Sequence, residues 1–289
     1  MFENAADNFN AYLKDNGLNS YAIRKFKTIV YRFYKQNARD TLPWRHTEDP
    51  YQILVSEIML QQTQIERVLN KYPLFILKFP DFPSLARARL RSVYTLWQGL
   101  GYNRRALALK EIARKIVKSP YYGSLPSDPD ELMKLPSIGQ STAGAVAAFA
   151  FHKPVVFIET NIRRIFLHFF FQGKENVTDH EILPLIERTL DNKDPRNWYY
   201  ALMDYGSALG NLRENPNRKS AQYKKQSTFA GSNRQMRGKI LRILSEEHQI
   251  TGKNLAGQLS ISYDTIAKII DQLYKEGFIK KKGHYIRMV

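Results

Sequence analysis

The sequence predicts a mainly α protein: a large helical domain over residues 1–210, a basic linker over 211–231, and a small α+β domain over 232–289. Apolar residues recur at helical spacing in nearly every segment up to about Leu209, and from Ser232 the pattern changes to three amphipathic helices followed by two short alternating runs. With 289 residues and 43% hydrophobic content, the chain is long enough to bury a core in each domain.

Residues 22–37 alternate basic and apolar groups at helical spacing. TLPWRHTEDPY, Thr41 to Tyr51, is a proline-bounded loop holding an aromatic pair and Arg45. A helix starts near Ile53, where Ile53, Leu54, Ile58, Met59 and Leu60 surround Glu57, with Gln61, Gln62 and Thr63 following within a turn. Another helix, near 84–97, ends at Gly99, and GLGYNRRA then supplies a glycine break, Tyr102 and paired Arg104 and Arg105 beside a further helix. A short helical segment ending near Leu135 breaks at Pro136, and Gly139 opens a helix through Ser141, Thr142, Ala143, Gly144 and Ala145. The small domain reads as helices at 234–247, 253–260 and 262–276, the last N-capped by Ser262 and ended by Gly277. FIKKKGHYIRMV completes it as two strands around a Lys-Lys-Gly-His turn.

The helix, hairpin, helix unit carries chemistry. With no Cβ at Gly139 a phosphate can approach closely, and the free N–H groups of the new helix point at it. Pro136, Ile138, Gly139, Gln140 and Thr142 are therefore candidate contacts to a nucleic-acid backbone, without base specificity; an ordinary turn packed by small residues is the bland alternative. Lys plus Arg number 44 against 27 for Asp plus Glu, a net charge of +17 that favours a phosphate partner. No long uncharged apolar run, signal-like start or lipidation motif argues for a membrane, so the expectation is a cytoplasmic, nucleoid-associated protein. Cysteine is absent, which excludes disulfides and thiolate-held clusters, and six scattered histidines show no metal-ligand spacing. Val155 to Ile158 form an apolar run against which Glu159, Asn161, Arg163 and Arg164 follow directly. The bland reading pairs Glu159 with Arg163 one helical turn on. For Glu57 it is a solvated helix position, which its apolar neighbours weaken, because an enclosed Glu can hold a proton at neutral pH.

PWRHTEDPY, SEIMLQQTQ, LWQGLGYNRRA, LPSIGQSTAGA and the NIRR segment, in this order across about residues 25–210, resemble the helix-hairpin-helix DNA glycosylases. They are most similar to the MutY-type adenine glycosylases, with endonuclease III more distant. The resemblance implies a two-lobed fold that flips a base out of duplex DNA and hydrolyses its N-glycosidic bond. It makes Glu57 the general acid that protonates adenine N7. Glu159 stands where the family usually has aspartate and Thr160 where glycine is usual, while Asn161 matches the family's asparagine. A carboxylate there would stabilise or trap an oxocarbenium-like sugar, and the extra methylene displaces it by about 1 Å unless the backbone sits further back. Ser141 occupies the place where bifunctional relatives carry a Schiff-base lysine, implying a monofunctional enzyme. Gln61 and Gln62 match residues that enter the duplex, and Tyr102 an aromatic near the same step, with capping and core packing as the alternative. Thr63, Arg104, Arg105 and Arg163 complete the DNA-binding set.

Two departures bear on cofactor and substrate. The family's iron–sulfur cysteines are missing around MDYGSALGNLRENPNRKS, so that loop must be held another way, and no counterpart is found to the domain that recognises 8-oxoguanine opposite adenine. The resemblance therefore implies no cofactor, with a monovalent cation at the hairpin as the one ion it allows. It implies a monomer acting on double-stranded DNA with adenine opposite 8-oxoguanine or guanine. Thymine or uracil opposite guanine is the rival substrate, since PWRHTEDPY and Glu57 also look like mismatch thymine glycosylases; a non-catalytic DNA-binding protein is the rival class. The small domain resembles a winged helix, whose third helix commonly enters a major groove while the wing touches backbone. Eleven basic and five acidic residues over 232–289 make it +6, and the linker adds five basic residues against one Glu.

Overall fold

The structure is a computed structural model that describes residues 2–211, 214–224, 228–229 and 231–289, with side chains from Ala5 onward. Its helices in chain order are α1 (Phe2–Asn16), α2 (Ser20–Asn37), α3 (Pro50–Leu60), α4 (Ile65–Leu69), α5 (Tyr72–Lys78), α6 (Phe82–Arg87), α7 (Leu90–Trp97), α8 (Arg104–Ile116), α9 (Pro129–Met133), α10 (Gln140–Phe151), α11 (Thr160–Phe170), α12 (Asp179–Thr189), α13 (Pro195–Leu209), α14 (Asn233–Glu246), α15 (Gly252–Leu259) and α16 (Tyr263–Lys275). The strands are β1 (Ile250–Thr251), β2 (Ile279–Lys282) and β3 (Tyr285–Met288). The chain forms two compact units: Met1–Ile53, Ser127–Met133 and Ile138–Lys225 make one, and Leu54–Pro126, Lys134–Ser137 and Gln226–Val289 the other. This division differs from the sequential one expected at 1–210 and 232–289; part of the linker, at 212–213, 225–227 and 230, lies outside the described residues.

The first unit is held by aromatic packing. Phe26 of α2 meets Phe9 of α1, Phe166, Phe169 and Phe170 of α11 and Trp198 of α13 at centroid distances from 5.1 to 6.0 Å, tilted or edge-on as ring quadrupoles prefer. α11 and α13 touch backbone to backbone, since a Cβ on Gly206 would sit 2.1 Å from the Asn161 carbonyl oxygen. On α10, Gly144 leaves room for Phe157, whose Cβ would be 2.4 Å from an added methyl. Tyr199 Oη donates to the Val155 carbonyl at 2.7 Å, so the apolar 155–158 run is pinned between α10 and α13. Asp204, 3% exposed, accepts from both Arg39 and Arg45. Burial pushes its carboxyl up, but the two guanidiniums prevail and hold it below the usual carboxylate range.

The described part of the loop after α13 is held by hydrogen bonds. Arg164 Nη1 donates to the Gly206 carbonyl at 2.6 Å and its Nε to Asn215 Oδ1 at 3.1 Å, and Asn217 Nδ2 reaches the Thr160 carbonyl at 3.1 Å. Val177 and Ser220 form a parallel bridge, with Val177 N on the Lys219 carbonyl and Ala221 N on the Val177 carbonyl, both at 2.9 Å.

In the second unit the helix expected at 84–97 is two helices, α6 and α7, separated by extended Ala88 and Arg89 (ψ 146° and 140°). The nearly buried Lys110 ammonium explains the break: it donates to the Leu85, Ala86 and Ala88 carbonyls and so satisfies the end of α6. Residues 233–288 are a three-stranded antiparallel sheet, order β1-β3-β2, with α14, α15 and α16 packed on it, in register Ile250↔Ile286 and Ile279↔Met288. β1 was not legible in sequence, because two residues show no alternation. The core of this winged-helix region is continuous with α7. Leu241, Leu244, Leu255, Ile266, Leu273 and Phe278 form one apolar cluster with Leu90 and Tyr94 of α7.

Candidate active site

In the second unit, the part of α3 from Leu54 on carries Glu57 on a stretch where Leu54, Val55, Ser56, Ile58 and Met59 are all buried, and Glu57 is the one member left partly exposed. The end of α3 is clamped by Arg105. This residue, expected to contact DNA, is only 6% exposed: Nη1 donates to the Ile58, Met59 and Gln61 carbonyls at 2.9, 2.9 and 2.5 Å, and Nη2 to Thr63 Oγ1 and the Leu100 and Gly101 carbonyls. Burial pushes the guanidinium down to about 10, so it stays charged at neutral pH, its donors spent on protein oxygens. Arg105 therefore shapes the loops that carry Gln61, Thr63 and Tyr102, with its donors committed to protein oxygens. Gln61 in turn donates through Nε2 to the Ser137 carbonyl of the hairpin at 3.3 Å.

Backbone strain gathers at this point. Seven non-glycine residues have positive φ among those described, and three of them, Gln62 (53°), Tyr102 (45°) and Ser137 (60°), lie on or next to the segments tied by Arg105 and Gln61. Each such conformation costs about 1–3 kcal/mol and persists where the surroundings over-determine it, which is characteristic of functional loops. Arg104 lies beside them with its side chain 72% exposed, although it is paired to Glu276 at 2.5 Å.

The hairpin runs from α9 to α10. Leu135 and Ile138 are buried, Pro136 is half-buried, and Gly139 and Gln140 are exposed. Gly139 caps α10 at φ −99° and ψ 177°, a conformation open to any residue, and a Cβ there would meet no described atom within 4 Å. Neither strain nor packing within the protein requires glycine there, and as an N-cap it leaves the start of α10 open to close approach. The Ser137 carbonyl at this turn accepts from Gln61. An iron–sulfur cluster does not fit the chain, because it needs cysteines the chain lacks. Ser141 is half-buried one residue inside α10, and Thr142 is 8% exposed within it.

In the first unit Glu159 is the N-cap of α11. Its Oε1 accepts from the Asn161 and Ile162 N–H groups, each at 2.7 Å, and Oε2 accepts from Asn161 Nδ2 at 3.3 Å. The longer side chain is thus accommodated by folding back over its own helix. Part of the residue reaches solvent, yet the carboxyl group is enclosed, and burial raises it above the ordinary Glu range against the opposing pull of the two N–H donors. Arg163 does not pair with Glu159: it forms a bidentate pair with Asp179 at 2.6 and 2.7 Å. That corrects the helical-turn pairing weighed from sequence, and it commits a guanidinium expected to bind DNA to the protein. Arg164, outside the predicted set, donates to Asn161 Oδ1 at 3.0 Å and so orients the amide that holds Glu159.

Two helices joined by a hairpin that opens on an unobstructed glycine amide place the protein in the helix-hairpin-helix class. Residues 55–188 match the HhH-GPD superfamily base excision DNA repair proteins. Over 195 residues the chain is 36% identical to an adenine DNA glycosylase of Buchnera aphidicola subsp. Baizongia pistaciae, covering 66% of this chain and 54% of the relative. Over 228 residues it is 33% identical to an adenine DNA glycosylase of Mycolicibacterium smegmatis, covering 73% of this chain and 77% of the relative. A solved thermostable thymine-DNA glycosylase superposes with a TM-score of 0.60 at 28% identity, covering 68% of this chain and 91% of that one. The chain belongs to the HhH-GPD superfamily of base excision DNA repair proteins. It spans about half the length of the first curated relatives it matches, and residues 235–284 match the MarR family.

Proposed function

We propose that this chain is a monofunctional DNA glycosylase that extrudes adenine mispaired with 8-oxoguanine or guanine and hydrolyses its N-glycosidic bond as a monomer on duplex DNA. The observation that carries the proposal is Glu57, left partly exposed in an otherwise buried stretch, 53–59, of a helix whose end is clamped into the strained loops bearing Gln61, Gln62 and Tyr102. In this reading Glu57 protonates N7 so that adenine departs as a neutral base, and Glu159, oriented by Asn161, stabilises the positive sugar. Ser141 offers no amine, so the product is an intact abasic strand. Gln61, Gln62 and Tyr102 fill the stack, while Gly139 and Gln140 bind backbone. Neither an iron–sulfur cluster nor another cofactor enters the chemistry, and the enzyme works at the nucleoid.

The likeness to a thymine-DNA glycosylase structure favours a second reading, removal of thymine or uracil opposite guanine. Single-turnover release from duplexes holding A opposite 8-oxoguanine, A opposite G, or T or U opposite G separates the two, with alkali treatment to reveal abasic sites and an untreated lane to reveal lyase cleavage. Adenine release is expected, with strand breaks only after alkali; release of thymine or uracil alone would replace the proposal by the second reading. Glu57→Gln should keep duplex binding and lose release by roughly 10²–10⁴-fold. A protein that binds every duplex and releases nothing is a non-catalytic relative.

A further inference from the structure

The winged-helix region reaches into the loop that bears Tyr102. Arg234, in the first turn of α14, donates through Nη1 to Tyr102 Oη at 2.5 Å, and its guanidinium carbon lies 5.0 Å from the Tyr102 ring centroid. It also lies 5.4 Å from the ring of Phe229, which is 55% exposed. The cation thus meets two aromatic rings, one belonging to the strained loop and one to the segment leading into α14. Three residues on, Arg237 shares the Glu276 carboxylate with Arg104, which lies two positions beyond Tyr102. The contact is anchored from behind by α7. Arg91 donates to the Ser245 and Glu246 carbonyls at 2.7 and 2.9 Å, and Gln98 to Ser245 Oγ at 2.6 Å.

The Tyr102 backbone is fixed from inside, because Arg105 binds the Leu100 and Gly101 carbonyls. The same guanidinium lies 5.4 Å from the Tyr102 ring centroid, whereas the hydroxyl at the far end of the ring is bound by Arg234. We propose that Arg234 is a positioning residue for Tyr102: the winged-helix region sets the orientation in which this aromatic side chain meets the base stack, and so acts on base extrusion itself and not only as an added DNA-binding surface. The proposal rests on the reading of Tyr102 as a stack-filling residue. The Arg234 cation near the ring and its charge-assisted bond at the hydroxyl act together with Arg105 to restrict tilt and rotation of the side chain.

The test uses the full chain and a duplex with 2-aminopurine beside the target adenine, so that extrusion is read by fluorescence and excision by single-turnover release. Arg234→Met keeps the aliphatic stem and removes the charge. It is expected to lower the extrusion amplitude and the release rate about tenfold while duplex Kd stays within about twofold, as for an interaction that matters after binding. Arg234→Lys should recover part of the loss, and Tyr102→Phe, which removes only the accepting hydroxyl, should lower both readouts in the same direction and add little to Arg234→Met. Arg242→Ala, one exposed residue along the same helix, is the control. Arg234→Met or Tyr102→Phe with wild-type extrusion overturns the inference, as does a loss that falls equally on Kd and rate. Wild-type protein that extrudes the base but releases none removes the glycosylase reading while the fluorescence comparison still decides the role of Arg234. Wild-type protein that leaves the fluorescence unchanged overturns both.

Discussion

Glu159 is buried where an ionised carboxylate is disfavoured, and its value to the protein is decided by the sign of that effect. A carboxyl raised in the folded state opposes folding once pH exceeds its unfolded value, and the penalty grows until pH passes the raised folded value. Glu159→Gln removes the penalty and keeps an oxygen able to accept from the Asn161 and Ile162 N–H groups. The variant should melt at least as high as wild type at neutral pH, with an advantage that shrinks toward pH 4, and should release no base. An equally active variant would make the residue a helix cap and nothing more. If ionised Glu159 is needed for the chemistry, the acid limb of the single-turnover profile should fall above the ordinary Glu range of about 4.3. Asp204 has the opposite sign. Its depressed carboxyl contributes stability that is complete above an unfolded value near 3.9 and is lost as pH falls through the lower folded value. Arg45→Met should therefore lower stability by up to about 3 kcal/mol at pH 7, and by much less in acid, as read by denaturant melts at both pH values.

At the scale of elements, the winged-helix helices were legible to within a residue or two because their caps are written locally. Ser232, Thr251 and Ser262 each accept from an N–H three residues on, and each stands at the start of an amphipathic run. The break between α6 and α7 was not legible, since what ends α6 is Lys110, more than twenty positions away, with no local proline or glycine to mark it. The same holds for the site. Glu57, Gln61, Gly139 and Glu159 stand out by motif and spacing, whereas the burial of Arg105, the pairing of Arg163 with Asp179 and the reach of Arg234 to Tyr102 depend on chain segments that only the fold brings together. Two glycines test the distinction between structural and functional elements. Gly139→Ala has open space and ordinary φ, so its melting temperature should match wild type while duplex affinity drops severalfold; Gly206→Ala would press on the Asn161 carbonyl and should cost about 1–3 kcal/mol of stability. Matching effects of the two on stability would remove the argument that Gly139 serves an external ligand.

For the whole molecule, a charge of +17 leads to a steep fall of duplex affinity with salt, with a log–log slope of about −0.9 per phosphate neutralised. A flat salt dependence would contradict any DNA-directed reading. The organisation of the second unit supports a further expectation about cooperativity. An appended domain whose core was separate from α7 would unfold alone, leaving the α7 and α8 helices protected. Here Leu244 and Leu273 share one apolar cluster with Leu90 and Tyr94, and Arg91 and Gln98 tie α7 to the end of α14. Leu273→Ala, at a fully buried position, should remove about 2–5 kcal/mol. Because the cluster is continuous, that loss should speed hydrogen exchange in α7 and α14–α16 together, by comparable factors, while α1, α2, α11 and α13 of the first unit keep their protection. Exchange that rises only within residues 233–288 would show the winged-helix region to be a separate folding unit that rests on α7 without stabilising it.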